Sequence, residues 1–238
     1  MPVSDVKALI FDVFGTCVDW RSGIAREVAA VARTKGVDLD TLAFADGWRA
    51  RYQPQMETVR SGKRPWTILD VLHRESLEAI LPHFGLAGKL SPAETDDLNR
   101  AWHRLDPWPD AVAGLSRLKR KFIIAPHSNG NLALLVNMAK RAGIPWDCII
   151  GAEVVRNYKP VPASYTEAAR ILGLAAAEVM MCAAHNGDLR AAQAQGLKTA
   201  FIPRPAEHGP GQKTDLTPDG TWDIVARDFG DLADQLGA

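Results

Sequence analysis

Apolar positions along this chain follow two rhythms. Residues 6–12, VKALIFD, form a short and nearly continuous apolar run punctuated by Gly15, which predicts a buried parallel strand ending in a loop. The next convincing strand is FIIAP, residues 122–126. Between the two, the spacing is helical: Ile24, Val28 and Val31 fall on one face, as do Ile68 and Leu72, then Leu77 with Ile80 and Leu81. Ser91-Pro92-Ala93-Glu94 has the form of a capping box with proline at the first helical position, and opens a helix carrying Leu98, Trp102 and Leu105. A helical insertion of this length after the first strand implies a lid beside a sheet.

From Pro109 the rhythm changes. Helix 110–120 leads to strand 122–126, helix 131–142 to strand 148–151, helix 162–172 to strand 178–183, and helix 188–195 to strand 198–202, with 223–225 adding a last strand. Such alternation predicts an α/β fold: a doubly wound, parallel, Rossmann-like sheet with a helical cap inserted after the first strand. The expected division is a core of residues 1–19 and 107–238 and a cap of residues 20–106. No internal repeat or low-complexity tract interrupts the pattern, and residues 209–220, rich in Gly and Pro, read as a surface loop. In sheets of this kind ligands bind beyond the carboxyl ends of the strands. That rule points to four places: Asp12 onward, His127 to Gly130, Asn157 to Lys159, and His185 to Asp188.

Composition narrows the function classes. Of 238 residues 47% are hydrophobic, enough for a sizeable core, and 28 Lys and Arg balance 28 Asp and Glu. A nucleic-acid partner would call for a basic excess, so any anion site must be local. The N-terminus MPVSDVKALIFDVFG has too few basic residues and too short an apolar run for a signal peptide. No stretch approaches the roughly 20 apolar residues of a membrane span, so no membrane partner is expected. Cys17, Cys148 and Cys182 are odd in number and lack metal-site spacing, which reads as reduced thiols in a cytoplasmic protein.

Asp12, at a strand end within FDVFGT, faces the ligand crevice as a partly desolvated carboxylate and could serve as a nucleophile. Alone, it could equally cap the following turn. The other strand ends shift the balance: Ser128-Asn129-Gly130 suits an anion, Lys159 stands in YKP where proline stiffens the loop, and His185 and Asp188 follow the next strand. Folding alone does not call for this set. His127 reads as a packing residue, His73, His83 and His103 as cap or surface residues, and His208 as part of a loop.

The order FDVFGT, SNG, YKP, then an Asp followed by Ala-Ala and Gly, resembles the haloacid dehalogenase superfamily across essentially the whole chain. Most of that superfamily are phosphatases, with a second Asp two residues after the nucleophile and an Mg²⁺-binding Asp after the fourth-motif strand. Those positions here are Phe14 and Ala184. A phosphoryl group needs both a metal clamp and an acid. The resemblance therefore points to the L-2-haloacid dehalogenase branch, with no metal and no cofactor. It implies that Arg49, in a Trp-Arg pair, and Asn129 bind the departing halide, with Arg51 the competitor for Arg49. By the same resemblance Ser128 holds the substrate carboxylate, Lys159 pairs with Asp12, Asp188 lies near Lys159, and Tyr165, Phe14 and Thr16 complete the substrate pocket. Trp66 is the expected aromatic wall of the halide pocket.

The mechanism so implied has Asp12 displace the halide in line from C2, giving an ester that water then hydrolyses. This chain departs from the branch in the fourth motif, where Ala183 and His185 replace the side chains that would hold that water. His185 is then either the base, given an ordinary pKa near 6.5, or a structural partner of the nucleophile loop. Asp19 is the expected residue to orient it. Partners would be a small haloacid and halide, and a homodimer fits the branch. Two rivals remain open: a phosphatase or phosphonatase using the same Asp12, and a non-catalytic member.

Overall fold

Strand β1 (Ala8–Phe11) is apolar at every position because both of its faces are covered. In the computed structural model, which describes residues 3–238, alternate residues of β1 enter two different cores: Leu9 and Phe11 pack on one side, Ala8 and Ile10 on the other. A strand buried on both faces cannot alternate apolar with polar, which is why residues 6–12 read as a continuous run. The remaining elements follow in chain order. β2 (Val18–Asp19) leads into α1 (Trp20–Lys35), α2 (Thr41–Ala50), α3 (Tyr52–Arg60), α4 (Leu69–Ile80) and α5 (Pro92–Asn99), and β3 (Asp106–Pro107) closes this insert. Then come α6 (Ala111–Leu118), β4 (Ile123–Ser128), α7 (Leu132–Ala142), β5 (Ile150–Gly151), α8 (Ala152–Val155) and α9 (Pro162–Ile171). The chain ends with β6 (Val179–Ala183), α10 (Asn186–Gln193), β7 (Lys198–Phe201), β8 (Ile224–Val225) and α11 (Phe229–Leu236).

The six-stranded sheet has the order β5-β4-β1-β6-β7-β8, with every pairing parallel. β1 lies between β4 and β6, so the loops after these three strands open at the same edge, the carboxyl end where the doubly wound architecture places ligands. The expected strands and core helices agree with the observed ones in kind and order, with no end moved by more than two residues. One shift matters: α10 starts at Asn186 rather than 188, so His185 is its N-cap residue.

The insert is bounded by a short antiparallel ribbon in which Val18 faces Pro107 and Asp19 faces Asp106. Its helices carry legible termini. Asp19 accepts from the Ser22 N–H to cap α1, Gly36 ends α1 in the left-handed conformation, and Ser91 with Glu94 forms the capping box of α5. The expectation that Asp19 orients His185 is thereby corrected: its carboxylate faces the first turn of α1. Trp20, Trp48 and Trp102 are fully buried and bind the insert to the core cluster that holds Phe11 and Phe229. Among the described residues no helix is long and apolar enough to cross a membrane.

Candidate active site

A cavity of about 990 Å³ opens where the carboxyl ends of β1, β4 and β6 meet the insert. Asp12 lies on its floor. The Asp12 N–H donates to the Cys182 carbonyl, so the residue prolongs the β1 ladder by one step before the chain turns away. Its Oδ1 accepts from Lys159 Nζ at 2.8 Å, and its Oδ2 accepts from Thr16 Oγ1 at 2.7 Å and meets His185 Nδ1 at 3.1 Å. Lys159 Nζ also donates to Asp188, whose other oxygen accepts from the Tyr165 hydroxyl at 2.6 Å. Asp12, Lys159, His185, Asp188 and Tyr165, far apart in sequence, thus form one connected network.

Burial alone would raise the Asp12 pKa, but the facing Lys159 cation and His185 outweigh it and hold the carboxyl well below the usual range. Burial would likewise deprotonate Lys159, yet Asp12 and Asp188 raise its pKa instead. Burial and the neighbouring Asp188 push the Tyr165 phenol up, so it remains a hydrogen-bond donor. Asp12 is consequently an ionised, nearly buried carboxylate that faces the cavity, the state in which a carboxyl group can act as a nucleophile.

On the insert side of the cavity, the Arg49 guanidinium lies over the Tyr52 ring at 4.0 Å, with Trp20 at 5.3 Å and Phe14 at 5.8 Å. Its Nη1 is buried with no hydrogen-bond partner among the described residues. A caged cation with an unused donor suits an anion that arrives with substrate. Arg51 is exposed beside a separate groove with Pro54 and Ile80, so of the two arginines Arg49 is the one that lines the cavity. Asn129 Oδ1 accepts from the Lys159 N–H at 2.8 Å, which orients the amide at the cavity wall.

Three expected residues stand elsewhere. Trp66 packs on Tyr158 at 4.9 Å between ring centres and does not line the cavity, so the aromatic rings of the wall beside Arg49 are Tyr52 and Phe14 instead. Trp66 misled because RPW precedes α4, which turns its indole onto the loop before Lys159. Thr16 is fully buried behind Asp12, donating to its carboxylate and accepting from the Ala184 N–H at 2.9 Å; it holds the Asp12 side chain rather than lining the pocket. Ser128 is buried at the end of β4, where its hydroxyl accepts from the Gly130 N–H.

The family model of haloacid dehalogenase-like hydrolases matches residues 6–196. The chain belongs to this family. It is 30% identical over 207 residues to an (S)-2-haloacid dehalogenase of Xanthobacter autotrophicus, covering 84% of this chain and 76% of that one. A crystal structure of a defluorinating L-2-haloacid dehalogenase superposes with a TM-score of 0.97 at 54% identity, over 100% of this chain and 98% of the other. A second L-2-haloacid dehalogenase structure superposes with a TM-score of 0.94 at 49% identity, over 98% and 99% of the two chains.

Within this haloacid dehalogenase-like site, residues outside the recognised motifs add to the chemistry. His185 Nε2 meets Glu207 Oε2 at 2.9 Å, so the imidazole bridges Glu207 and Asp12. Burial would lower the His185 pKa, but the two carboxylates raise it well above the ordinary value, and the ring is an imidazolium while both are ionised. Burial would raise the Glu207 pKa, and His185 keeps it low. Glu207 belongs to the loop after β7, a strand end that the sequence reading left out of its four places; the same strand-end rule applied to AFIPRPAEH would have found it. Arg60 was also missed: its Nη1 donates to the Lys159 carbonyl at 2.8 Å, joining α3 to the lysine loop. His127 packs on Tyr165 and bonds Ser164, and burial lowers its pKa to about 4, so it adds no charge. His73 and His103 are cap residues, as expected, buried within the insert.

Proposed function

We propose that this protein hydrolyses short 2-haloalkanoic acids, haloacetate and L-2-halopropionate among them, to 2-hydroxy acids through an ester on Asp12. The observation that carries the reading is the pairing, across one cavity, of an ionised buried carboxylate with a caged arginine that has an unused donor. A haloacid hydrolase needs a nucleophile for carbon and a cation where halide charge develops. The similarity to L-2-haloacid dehalogenases at 54% and 49% identity supports the same reading. Phe14 and Ala184 supply neither the acid nor the carboxylate ligand that phosphoryl transfer would use, which ranks a phosphatase second. In this reading residues 20–106 act as a cap that supplies Arg49, and the free thiols Cys17 and Cys182, buried in the core, fit a cytoplasmic enzyme.

In the first step Asp12 Oδ1, which has one hydrogen-bond partner against two for Oδ2, attacks C2 opposite the halogen. The carbon–halogen bond breaks as the C–O bond forms, configuration inverts, and charge passes from Asp12 to a halide held by Arg49 and Asn129. Backbone N–H groups of the loop after β4, which Ser128 braces through Gly130, orient the substrate carboxylate and set the trajectory. Esterification removes the Asp12 charge, and with it one of the two anions that keep His185 protonated. His185 then sheds its proton and takes one from a water whose oxygen bonds to the Asp12 carbonyl carbon. Collapse breaks the acyl C–O bond, the alkoxide recovers that proton, and Asp12 re-ionises with one net proton released per turnover.

The test is halide release from chloro-, bromo- and fluoroacetate and from both 2-chloropropionate enantiomers, with and without EDTA. Release selective for the L enantiomer, unaffected by EDTA and abolished in Asp12→Asn, is the expected result. Single-turnover reaction in ¹⁸O water should label Asp12 before product. Magnesium-dependent phosphate release without halide release would overturn the proposal, and inertness toward both would leave a non-catalytic member.

A further inference from the structure

The Glu207 carboxylate is held from three sides. Its Oε2 meets His185 Nε2 at 2.9 Å, its Oε1 accepts from Trp20 Nε1 at 3.0 Å, and it lies flush against the nucleophile loop at Gly15. A Cβ on Gly15 would fall 2.1 Å from Glu207 Oε1, so only glycine leaves room for the carboxylate there. Glu207 is 1% exposed and so is Trp20, which excludes bulk water as a substitute partner. His208 also approaches Oε1, but its Nε2 lies at 3.6 Å, beyond a good hydrogen bond. The indole N–H is therefore what sets the rotation of the carboxylate and turns Oε2 toward His185. Trp20 opens α1 in the helical insert, whereas Glu207 and His185 follow β7 and β6 of the sheet. The hydrogen bond spans the two parts of the molecule.

We propose that Trp20 is a positioning residue for the second half-reaction: its N–H fixes Glu207, Glu207 fixes the imidazole of His185, and ester hydrolysis is thereby tied to docking of the insert on the core. This rests on the Asp12-ester reading above. Trp20 touches none of the reacting atoms. His185 Nδ1 must face the Asp12 carboxyl to take a proton from water attacking it, and the ring is held in that orientation through its Nε2 bond to Glu207. Removing the indole N–H leaves the aromatic surface under Arg49, so halide displacement keeps its caged cation while hydrolysis loses its oriented base. A positioned base is worth on the order of 10²- to 10⁴-fold, and misorienting it forfeits part of that, about 10- to 100-fold.

The experiment compares wild type with Trp20→Phe and with a site-specific benzothienylalanine at position 20, which keeps the indole shape but has no N–H. With L-2-chloropropionate, rapid quench reads the halide burst, steady state reads turnover, and intact-protein mass reads the fraction of esterified Asp12. The expected result is an unchanged burst of about one halide per site, turnover reduced about 10- to 100-fold, and accumulated ester. Glu207→Gln should behave alike, and adding Trp20→Phe to it should cost little more, because both act through one carboxylate. Wild-type turnover without ester in the benzothienylalanine protein would overturn the proposal. So would an equal fall of burst and turnover, which would make Trp20 a packing residue of the Arg49 cage. A wild type that releases no halide would instead remove the ester reading itself, and that arm is read first.

Discussion

Replacing Lys159 with methionine tests the electrostatic account of the nucleophile most directly. The side chains have similar length, but the variant removes the cation 2.8 Å from Asp12 Oδ1. At that separation and an effective dielectric of about 20, the pair attraction is about 6 kcal/mol, before the cost of burying both ions is set against it. Burial is the largest influence on Asp12 and acts to raise its pKa; in Lys159→Met, His185 and the hydrogen bond from Thr16 still oppose it. A buried carboxyl without a cation can rise by about 3–5 units, and His185 offsets only part of that, so the protonated and inactive form should become populated at mildly acidic pH. Burst rates measured from pH 4 to 9 should therefore show an acid limb in Lys159→Met where the wild type has none. The same ion pair stabilises the fold. Because the Asp12 pKa is depressed, its contribution is complete above the unfolded value near 4 and is lost as pH falls through the folded one. Thermal melts at pH 7 should show the variant destabilised by up to about 3–5 kcal/mol, less whatever Asp12 recovers by taking up a proton. A variant with the wild-type acid profile and wild-type burst rate would refute the argument, because Lys159 would then not govern Asp12.

Further outcomes follow from neighbouring features. Arg49→Ala should lower kcat and kcat/KM together, since it removes a contact made to charge that develops only in the transition state, while Arg51→Ala at the exposed groove should stay close to wild type. A large effect at Arg51 with none at Arg49 would mean that the cage is not the halide site. His185→Asn should give a halide burst followed by a stall with Asp12 esterified, and wild-type turnover limited by hydrolysis should fall on the acid side as the imidazole regains its proton. Full turnover in His185→Asn would return that residue to a structural role. Because its folded pKa is raised, His185 should also stabilise the wild type below about pH 6.5, an advantage that melts taken at rising pH should see disappear. Gly15→Ala, at φ +88° and against Glu207, should cost about 1–3 kcal/mol in a urea melt, and an unchanged midpoint would contradict the packing described.

The sheet was legible because β1 and β6 are buried on both faces, so their apolar runs stand out without any partner in view. The insert was legible through its caps, most clearly Ser91 with Glu94. Residues fixed by their own strand end were readable too: Asp12, Asn129, Lys159 and His185 all reach the cavity. Positions set by tertiary packing were not. Trp66 and Tyr52 are both aromatics of the insert, and nothing in RPW or RYQP says which ring turns toward Arg49. Asp19 and Glu207 are both acids within reach of a strand end, but the competition of the α1 N-terminus for the Asp19 carboxylate appears only once that helix is built. Glu207 lies in a long irregular loop whose path depends on Arg204, which donates to the Thr16 carbonyl and clasps Asp110, a set of contacts spread over nearly 190 residues.

The β2–β3 ribbon has a consequence for how such a molecule can be rebuilt. Val18 pairs with Pro107 and Asp19 with Asp106, so the insert leaves and rejoins the core at adjacent points, about 5 Å apart as antiparallel partners are. A body attached through two neighbouring strands imposes almost no end-to-end requirement on the rest of the chain. Any helical module whose termini approach within that distance could be grafted between positions 19 and 106 without disturbing the register of the parallel sheet. Such a graft would leave Asp12 and Lys159 on the core, and would have to bring its own replacements for Arg49 and for the Trp20 N–H that fixes Glu207 beside His185. In the proposed reading, the cation that receives the departing halide is thus an exchangeable part, while the nucleophile is not.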